Sequence, residues 1–323
     1  MQKIKFPAWT KVLLFLGVIL CSLLSGIYII PAIAFYAVLC VVMPGPLLII
    51  PPLLSSLAAF IFGIAFQSLP AAILPAANSI FYLLPAVLIA MSYFKTQSKM
   101  QTIVNGTAGL FIFFSLFVVL SFITEFGKFT PEFFNSVIDG YITSAVSTAE
   151  KSMSEFQAVA EEPFDLVYFE ELMLRIKPLI PALVTSVFFI MCYISVSITN
   201  GILKKFSVIE NVGYRMVPHW ICGVLFFISF FGNWFVSSDS FASVLLTSAN
   251  IILMPSMFIF GLGMIKDLLI KIFRTKFIAV VLIIVAFIFG GTIIYNLFYL
   301  TGCYYSIIVG IRNRQHNNFE GDN

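Results

Sequence analysis

The chain has 323 residues, of which 60% are hydrophobic and only 10% are charged, and its mean hydropathy is +1.04. A soluble domain carries about 25% charged and about 45–50% apolar residues. The composition therefore excludes soluble enzymes, nucleic-acid-binding proteins, secreted disulfide scaffolds and disordered chains. It predicts an all-α polytopic transmembrane bundle in contact with membrane lipids. The charges are unevenly distributed, because residues 125–177 hold ten acidic and four basic side chains, whereas the rest of the chain is basic.

The amino-terminal half contains an uncharged stretch of 83 residues, 12–94, flanked by Lys11 on one side and by the Lys95/Lys99 pair on the other. Lys and Arg accumulate on the cytoplasmic side of short loops, so we expect the amino terminus and both flanks to be cytoplasmic. The number of crossings between the flanks is then even, and four spans of about 20 residues fit the length. Breaks are predicted near Pro31, at Pro44-Gly45-Pro46 and at Ser68-Leu69-Pro70.

A fifth span, about residues 103–123, leads to the acidic segment, which we expect outside the cytoplasm. Thr130-Pro131-Glu132 is typical of a helix start, with a capping hydroxyl, a proline at the first position and an acid in the first turn. Apolar residues then recur at three- and four-residue spacing up to Phe156, which predicts an amphipathic helix at the outer interface or over the bundle mouth. A second helix, about 164–177, leads into the sixth span.

The carboxy-terminal half alternates apolar runs with basic clusters. Residues 220–236 and about 241–265 form spans seven and eight, and the basic residues within 266–276 mark a cytoplasmic loop. The last apolar run, 277–311, is either one long span or two short spans hinged at Gly290-Gly291, so the total is nine or ten. We divide the chain into an amino-terminal bundle (1–124), an acidic extracytoplasmic insert (125–177), a carboxy-terminal bundle (178–311) and a polar tail (312–323).

Eight of the fifteen prolines lie within residues 31–85. Each proline removes a helical hydrogen bond, and broken helices in lipid occur where the backbone lines a cavity, as at transporter binding sites. The alternative is that these prolines end or kink spans for packing. A solute bound here would be neutral or amphipathic, because no charged side chain is present. The predicted substrate-binding residues are Pro46, Gln67, Pro70, Pro75 and Asn78.

Motifs for catalysis and metal binding are missing from the sequence. It contains no H-E-x-x-H, G-x-S-x-G or Walker-type motif, and its five cysteines lie singly. We therefore expect no enzymatic activity, cofactor or metal, and the scattered bases predict no nucleic-acid partner. Arg215, His219 and Trp220 are interpreted as interfacial residues at the entry of span seven. Gly261-x-Gly263 is interpreted as a site of close helix packing.

Arg215, Pro218 and Trp220 place a basic residue and a proline ahead of a tryptophan at a span entry. Together with the glycine-bearing span around 258–263 and the arginine-ended terminus, these residues give the chain a resemblance to the YybS-like proteins. That family consists of polytopic bacterial membrane proteins classed as a domain of unknown function. The resemblance covers most of the chain and implies a location in the bacterial cytoplasmic membrane. The amino-terminal half of that family is similar to the substrate-capturing subunits of energy-coupling-factor transporters, which rely on a separate ATPase module. Fold alone does not fix function.

Two functional hypotheses follow. The first is a transport-type protein that binds a small neutral or amphipathic solute in the amino-terminal bundle and has no energy-coupling residues of its own. The second is an assembly or scaffold protein whose acidic insert contacts a protein partner or the outer membrane surface, while the basic loop at 266–276 contacts anionic headgroups. An intramembrane enzyme acting on lipid is a third class, for which the sequence nominates no residues.

Overall fold

The computed structural model describes residues 6–24, 26–43, 45–66, 69–95, 98–156, 166–206, 219–238 and 240–320, and every regular element in these ranges is a helix. The α-helices of this part are α1 (Ala8–Leu24), α2 (Ile29–Val42), α3 (Ile50–Phe66), α4 (Leu69–Asn78), α5 (Leu83–Phe94), α6 (Lys99–Phe126), α7 (Pro131–Phe156), α8 (Leu166–Ile176), α9 (Ile180–Lys205), α10 (Trp220–Gly232), α11 (Phe241–Phe273), α12 (Lys276–Phe289) and α13 (Gly291–Glu320). The predicted all-α architecture is confirmed.

Six helical segments of the described chain are long and apolar enough to cross a membrane: Pro46–Ala65, Pro75–Phe94, Lys99–Thr124, Glu171–Lys205, Phe241–Phe273 and Gly291–Val309. The protein is therefore a multi-pass membrane protein. Four shorter apolar segments of 10–17 residues fall where the sequence predicts the other spans, at Ala8–Leu24, Gly26–Val42, Trp220–Gly232 and Lys276–Phe289. A span needs about 20 residues, so the total of nine or ten spans stays a prediction.

The helix breaks of the proline-rich half lie close to the predicted positions. The first break comes before Pro31, at Gly26, whose φ of +58° suits glycine, and Pro31 then lies in the first turn of α2, where a proline removes no helical hydrogen bond. A 3-10 turn at Pro46–Ile49 separates α2 from α3. The predicted fourth span is two helices, because α4 ends at Asn78 and a turn precedes α5.

Two elements of the carboxy-terminal half are longer than predicted. Helix α11 continues for 33 residues to Phe273, so most of the predicted basic loop at 266–276 is helical. Basic side chains are favourable at a helix carboxyl end because they face its negative dipole. Helix α13 runs on to Glu320, so residues 312–320 of the predicted polar tail are helical.

The last apolar run divides at the predicted glycine hinge. Gly291 has a φ of +52°, and the Phe287 ring stacks on Phe298 with centroids 5.0 Å apart. Eleven residues along one straight helix would separate these rings by roughly 16 Å. The chain therefore reverses at the hinge, and the run forms two helices.

A first hydrophobic core joins helices from both sides of the acidic insert. Its buried side chains come from α1, α2, α5, α6 and α9. Across this core, the Ser195 hydroxyl of α9 donates to the Ile30 carbonyl at 3.0 Å, and the Thr199 hydroxyl donates to the Ala34 carbonyl at 3.3 Å. Such bonds hold helices together in lipid, where the hydrophobic effect between helices is absent.

A second core is built around a close crossing of α11 and α13. Its fully or nearly fully buried side chains include Phe226, Met257 and Cys303. A Cβ atom on Gly302 would lie 1.8 Å from the Met257 carbonyl oxygen, and one on Gly261 would lie 1.9 Å from the Phe298 carbonyl oxygen. The two backbones are thus in direct contact, as the sequence predicts for Gly261.

The acidic insert begins at a rigid corner between α6 and α7. Gly127, with a φ of +71°, ends α6, and the Thr130 hydroxyl accepts a hydrogen bond from the Phe133 backbone N–H at 3.2 Å. The predicted cap is therefore confirmed. The Phe122 ring contacts four further phenylalanine rings around the corner, those of Phe126, Phe129, Phe133 and Phe134.

We expect Gly302→Ala to lower the free energy of unfolding of the detergent-solubilised protein by at least about 3 kcal/mol. The new methyl group would overlap the Met257 carbonyl oxygen, and overpacking typically costs about 1–3 kcal/mol and occasionally more. Thermal unfolding and size-exclusion chromatography measure the effect. Gly263→Ala is the matched control, since nothing lies within 4 Å of its added Cβ. Equal stability of the two variants would contradict the close crossing.

Candidate functional site

The predicted substrate-binding residues are divided between different elements. Pro46 is exposed in the 3-10 turn before α3, whereas Pro75 and Asn78 are half-buried and one turn apart on α4. Pro70 lies in the first turn of α4, and Gln67 lies outside the described residues. The structure therefore brings Pro75 and Asn78 together on one helix and places Pro46 on another element.

Two hydroxyl side chains of the proline-rich half bond across to neighbouring elements, whereas the buried Tyr82 hydroxyl has no hydrogen-bond partner among the described residues. The Ser22 hydroxyl donates to the Ser55 hydroxyl at 2.7 Å, which joins α1 to α3. The Tyr36 hydroxyl donates to the Leu48 carbonyl at 2.8 Å, and its ring meets the edge of the fully buried Tyr82 ring. These contacts are of the kind that the packing interpretation of the prolines requires.

The entry of α10 is described from His219 onward, so Arg215 and Pro218 lie outside the described residues. The exposed His219 caps the helix, because its Nδ1 accepts a hydrogen bond from the Ile221 backbone N–H at 3.4 Å. Its carbonyl accepts a hydrogen bond from the Ser306 hydroxyl of α13 at 3.0 Å. These contacts give His219 and the neighbouring Trp220 a structural position at a helix end.

A cavity of about 540 Å³ lies where the two cores meet. It is lined by Lys99 at the start of α6, Tyr193 of α9 and Tyr305 of α13, and on the remaining side by residues of α11 between Ile259 and Lys271. Ligand pockets usually have volumes of about 300–1,000 Å³ and mostly apolar walls with a few polar groups. Both the size and the mixed lining of this cavity match that description.

Lys99 is the half-buried charge of the cavity. Its ammonium donates to the Ser197 hydroxyl at 3.3 Å and lies 4.9 Å from the centre of the Tyr193 ring. The other two charged lining residues, Asp267 and Lys271, are exposed and lie one turn apart on α11. In the described part of the chain, the ion pairs are Arg175–Glu171 and Lys177–Asp139, so Lys99 has no carboxylate partner there.

The cavity lies near one end of the bundle, at the start of α6 and close to the carboxyl end of α11. Ser197, which contacts Lys99, precedes the basic end of α9 at Lys204 by two turns, or roughly 10 Å. Two hydrogen bonds next to the cavity fasten the surrounding helices. The Tyr93 hydroxyl of α5 donates to the Asn200 side chain of α9, and the Asn105 amide of α6 donates to the Ser92 hydroxyl at 2.9 Å.

The two glycines of Gly261-x-Gly263 have different surroundings. Gly261 touches the α13 backbone, as predicted, but a Cβ atom on Gly263 would meet nothing within 4 Å. Gly263 lines the cavity instead. Close packing therefore explains only the first glycine, because residues two apart on a helix point in different directions.

Sequence reasoning missed this cavity because its residues come from four helices distant in the chain. Lys99 serves in the sequence only as a marker of topology, and Asp267 and Lys271 belong to a predicted loop. The partial burial of Lys99 depends on how the start of α6 packs against α9. The residues next to Lys99 in the sequence do not predict that contact with α9.

No family model matches the chain, and neither a curated protein nor a solved structure matches it. The resemblance to the YybS-like proteins therefore stays a prediction. Among the residues that the structure describes, no group of three or more His, Cys, Asp and Glu side chains is placed to hold a metal ion.

We expect a water-soluble maleimide to label Gly263→Cys well above the wild-type background, because Gly263 lines an open cavity. Ser256→Cys is the control on the same helix, since Ser256 is only 2% exposed and we expect little labelling there. Mass spectrometry of the folded protein in detergent measures both modifications. Equal protection of the two cysteines would mean that the cavity is closed to water.

Proposed function

We propose that the protein is a transport-type, non-enzymatic membrane protein that binds a small amphipathic solute in the cavity between its two cores. The observation that carries this proposal is the 540 Å³ cavity with Lys99 on one wall and apolar α11 side chains on another. The mixed lining suits a molecule with one polar end and one apolar end. The proposal places the site at this cavity rather than in the proline-rich half, because Pro46, Pro75 and Asn78 are not among the residues that line it.

The charge distribution indicates which side of the membrane the cavity faces. Lys266, Lys271 and Arg274 crowd the end of α11 that borders the cavity, and basic residues favour the cytoplasmic side. We therefore place the cavity toward the cytoplasm and the acidic insert on the outer face, in a bacterial cytoplasmic membrane. No acid–base relay is part of this proposal, so energy for transport would come from a separate module.

Native mass spectrometry of the protein extracted in a mild detergent tests the proposal. We expect a bound small molecule of constant mass on the wild type, and its loss in Gly263→Leu, because the new side chain extends into the cavity. Gly201→Leu is the matched control, since Gly201 is an exposed helical glycine with nothing within 4 Å of an added Cβ. Retention of the molecule in Gly263→Leu would contradict the proposed site.

The same spectra distinguish binding in this cavity from binding at the site that the sequence predicts in the proline-rich half. If the solute binds in the proline-rich half, Gln67→Leu and Asn78→Leu will remove the bound molecule while Gly263→Leu retains it. We expect the opposite result, because Asn78 is not among the described residues that line the cavity, and Gln67 lies outside the described residues.

A scaffold function is the second candidate, and the fixed geometry of the insert favours it. The phenylalanine corner at Phe122 holds the start of α7, and Lys177 bonds to Asp139 at 2.5 Å. Glu132 and Glu171 are exposed on this rigid, acidic surface. For a scaffold, we expect a stoichiometric protein partner in the native spectra, and its loss in Glu132→Gln/Glu171→Gln. Lys128→Gln is the control, and a spectrum without protein partners would contradict this function.

A further inference from the structure

We infer that the cavity binds the anionic headgroup of an amphiphile, with its phosphate or carboxylate against the Lys99 ammonium and its apolar part along α11. This inference rests on the proposed function and specifies the chemical class of the solute. It depends on three features of the cavity. They are the absence of an ion pair between Lys99 and any described carboxylate, the difference in burial among the three lining charges, and the apolar wall of α11.

The first feature is a half-buried ammonium that forms no ion pair with any carboxylate of the described residues. Removing a cation from water is costly unless an anion or several hydrogen-bond acceptors replace the lost water. A lysine ammonium has three N–H donors, but the described contacts of Lys99 are one hydroxyl at a long 3.3 Å and the face of one tyrosine ring. Both partners are neutral, so an anionic oxygen in the cavity would supply the missing charge.

The second feature is the distribution of the other charges. Lys271 adds a second positive charge, while Asp267 carries the negative one, and both side chains are exposed, unlike that of Lys99. Exposed charges are screened by water and salt more strongly than partly buried ones. The least screened of the three lining charges is therefore the positive charge of Lys99, and the three together sum to one positive charge.

The third feature selects an amphiphile over a free inorganic anion. Ile259, Phe260, Met264 and Leu268 of α11 form an apolar wall beside Lys99. Burying an alkyl chain against such a wall contributes about 0.8 kcal/mol per methylene group, whereas a hydrated inorganic anion gains nothing from it. The same ligand chemistry is available from the headgroup of an acidic phospholipid and from a free single-chain phosphate or carboxylate.

Dodecyl phosphate is the anionic test probe, and dodecyltrimethylammonium is the cationic probe of equal chain length. The protein is held in dodecyl maltoside, which is a neutral amphiphile. We expect wild-type protein to bind dodecyl phosphate at least about tenfold more tightly than the cationic probe, the effect of one charge-assisted contact. Lys99→Gln should remove most of this preference, and Lys99→Arg should retain it. Lys266→Gln is the control, because Lys266 is exposed on the same helix and does not line the cavity.

The two ways of failing are distinguishable. If Gly263→Leu blocks both probes but the wild type binds them equally, the cavity is a binding site and the anion inference is overturned. If Gly263→Leu binds dodecyl phosphate as the wild type does, the proposed site itself is wrong. The comparison of headgroups in the wild type decides the inference even where Lys99→Gln does not fold, and size-exclusion chromatography identifies that case.

Reconstitution separates the two sources of the headgroup. Protein loaded with dodecyl phosphate is transferred into phosphatidylcholine vesicles with or without phosphatidic acid. Displacement by phosphatidic acid would identify the acidic phospholipid as the source, and displacement by aqueous hexyl phosphate alone would identify a free single-chain anion. Displacement by neither, with release by dodecyltrimethylammonium, would overturn the inference.

Discussion

The contact between the α11 and α13 backbones at Gly261 and Gly302 is the constraint on which the carboxy-terminal half depends. In lipid, helices gain little by burying apolar side chains against each other, so close approach and interhelical hydrogen bonds must hold them. This crossing fixes Tyr305, three residues beyond Gly302, and directs Gly263, two residues beyond Gly261, toward open space. The position of the α11–α13 crossing at Gly261 and Gly302 therefore determines where Gly263 and Tyr305 line the cavity.

The first core supplies the opposite wall by different means. Serine and threonine hydroxyls of α9 bond to α2 carbonyls, and Asn200 accepts a hydrogen bond from Tyr93 of α5. These bonds hold α9 so that Tyr193 and Ser197 meet Lys99. Helices α2 and α5 pack behind α9, and the polar lining of the cavity lies where α9 and the start of α6 face α11.

Features with a local cause could be predicted from the sequence. The apolar runs, the Thr130 cap, the helix break at residues 44–46 and the hinge at Gly290-Gly291 each follow from hydropathy or from the backbone preference of a few neighbouring residues. Three features could not be predicted: the continuation of α11 through Lys266, the partial burial of the Lys99 side chain, and the separate roles of Gly261 and Gly263. They depend on which helices pack together, and residues distant in the chain decide that.

Helix α6 connects the two regions to which we assign function. It begins at Lys99 in the cavity wall and ends beside the phenylalanine corner at Phe122, after 28 residues or roughly 42 Å. It is an uninterrupted helix with no internal proline, so it moves approximately as one body. Any tilt of α6 that accompanies filling of the cavity therefore also displaces α7. The cavity and the acidic insert therefore lie at opposite ends of one helix, which gives a change at either end a direct structural route to the other.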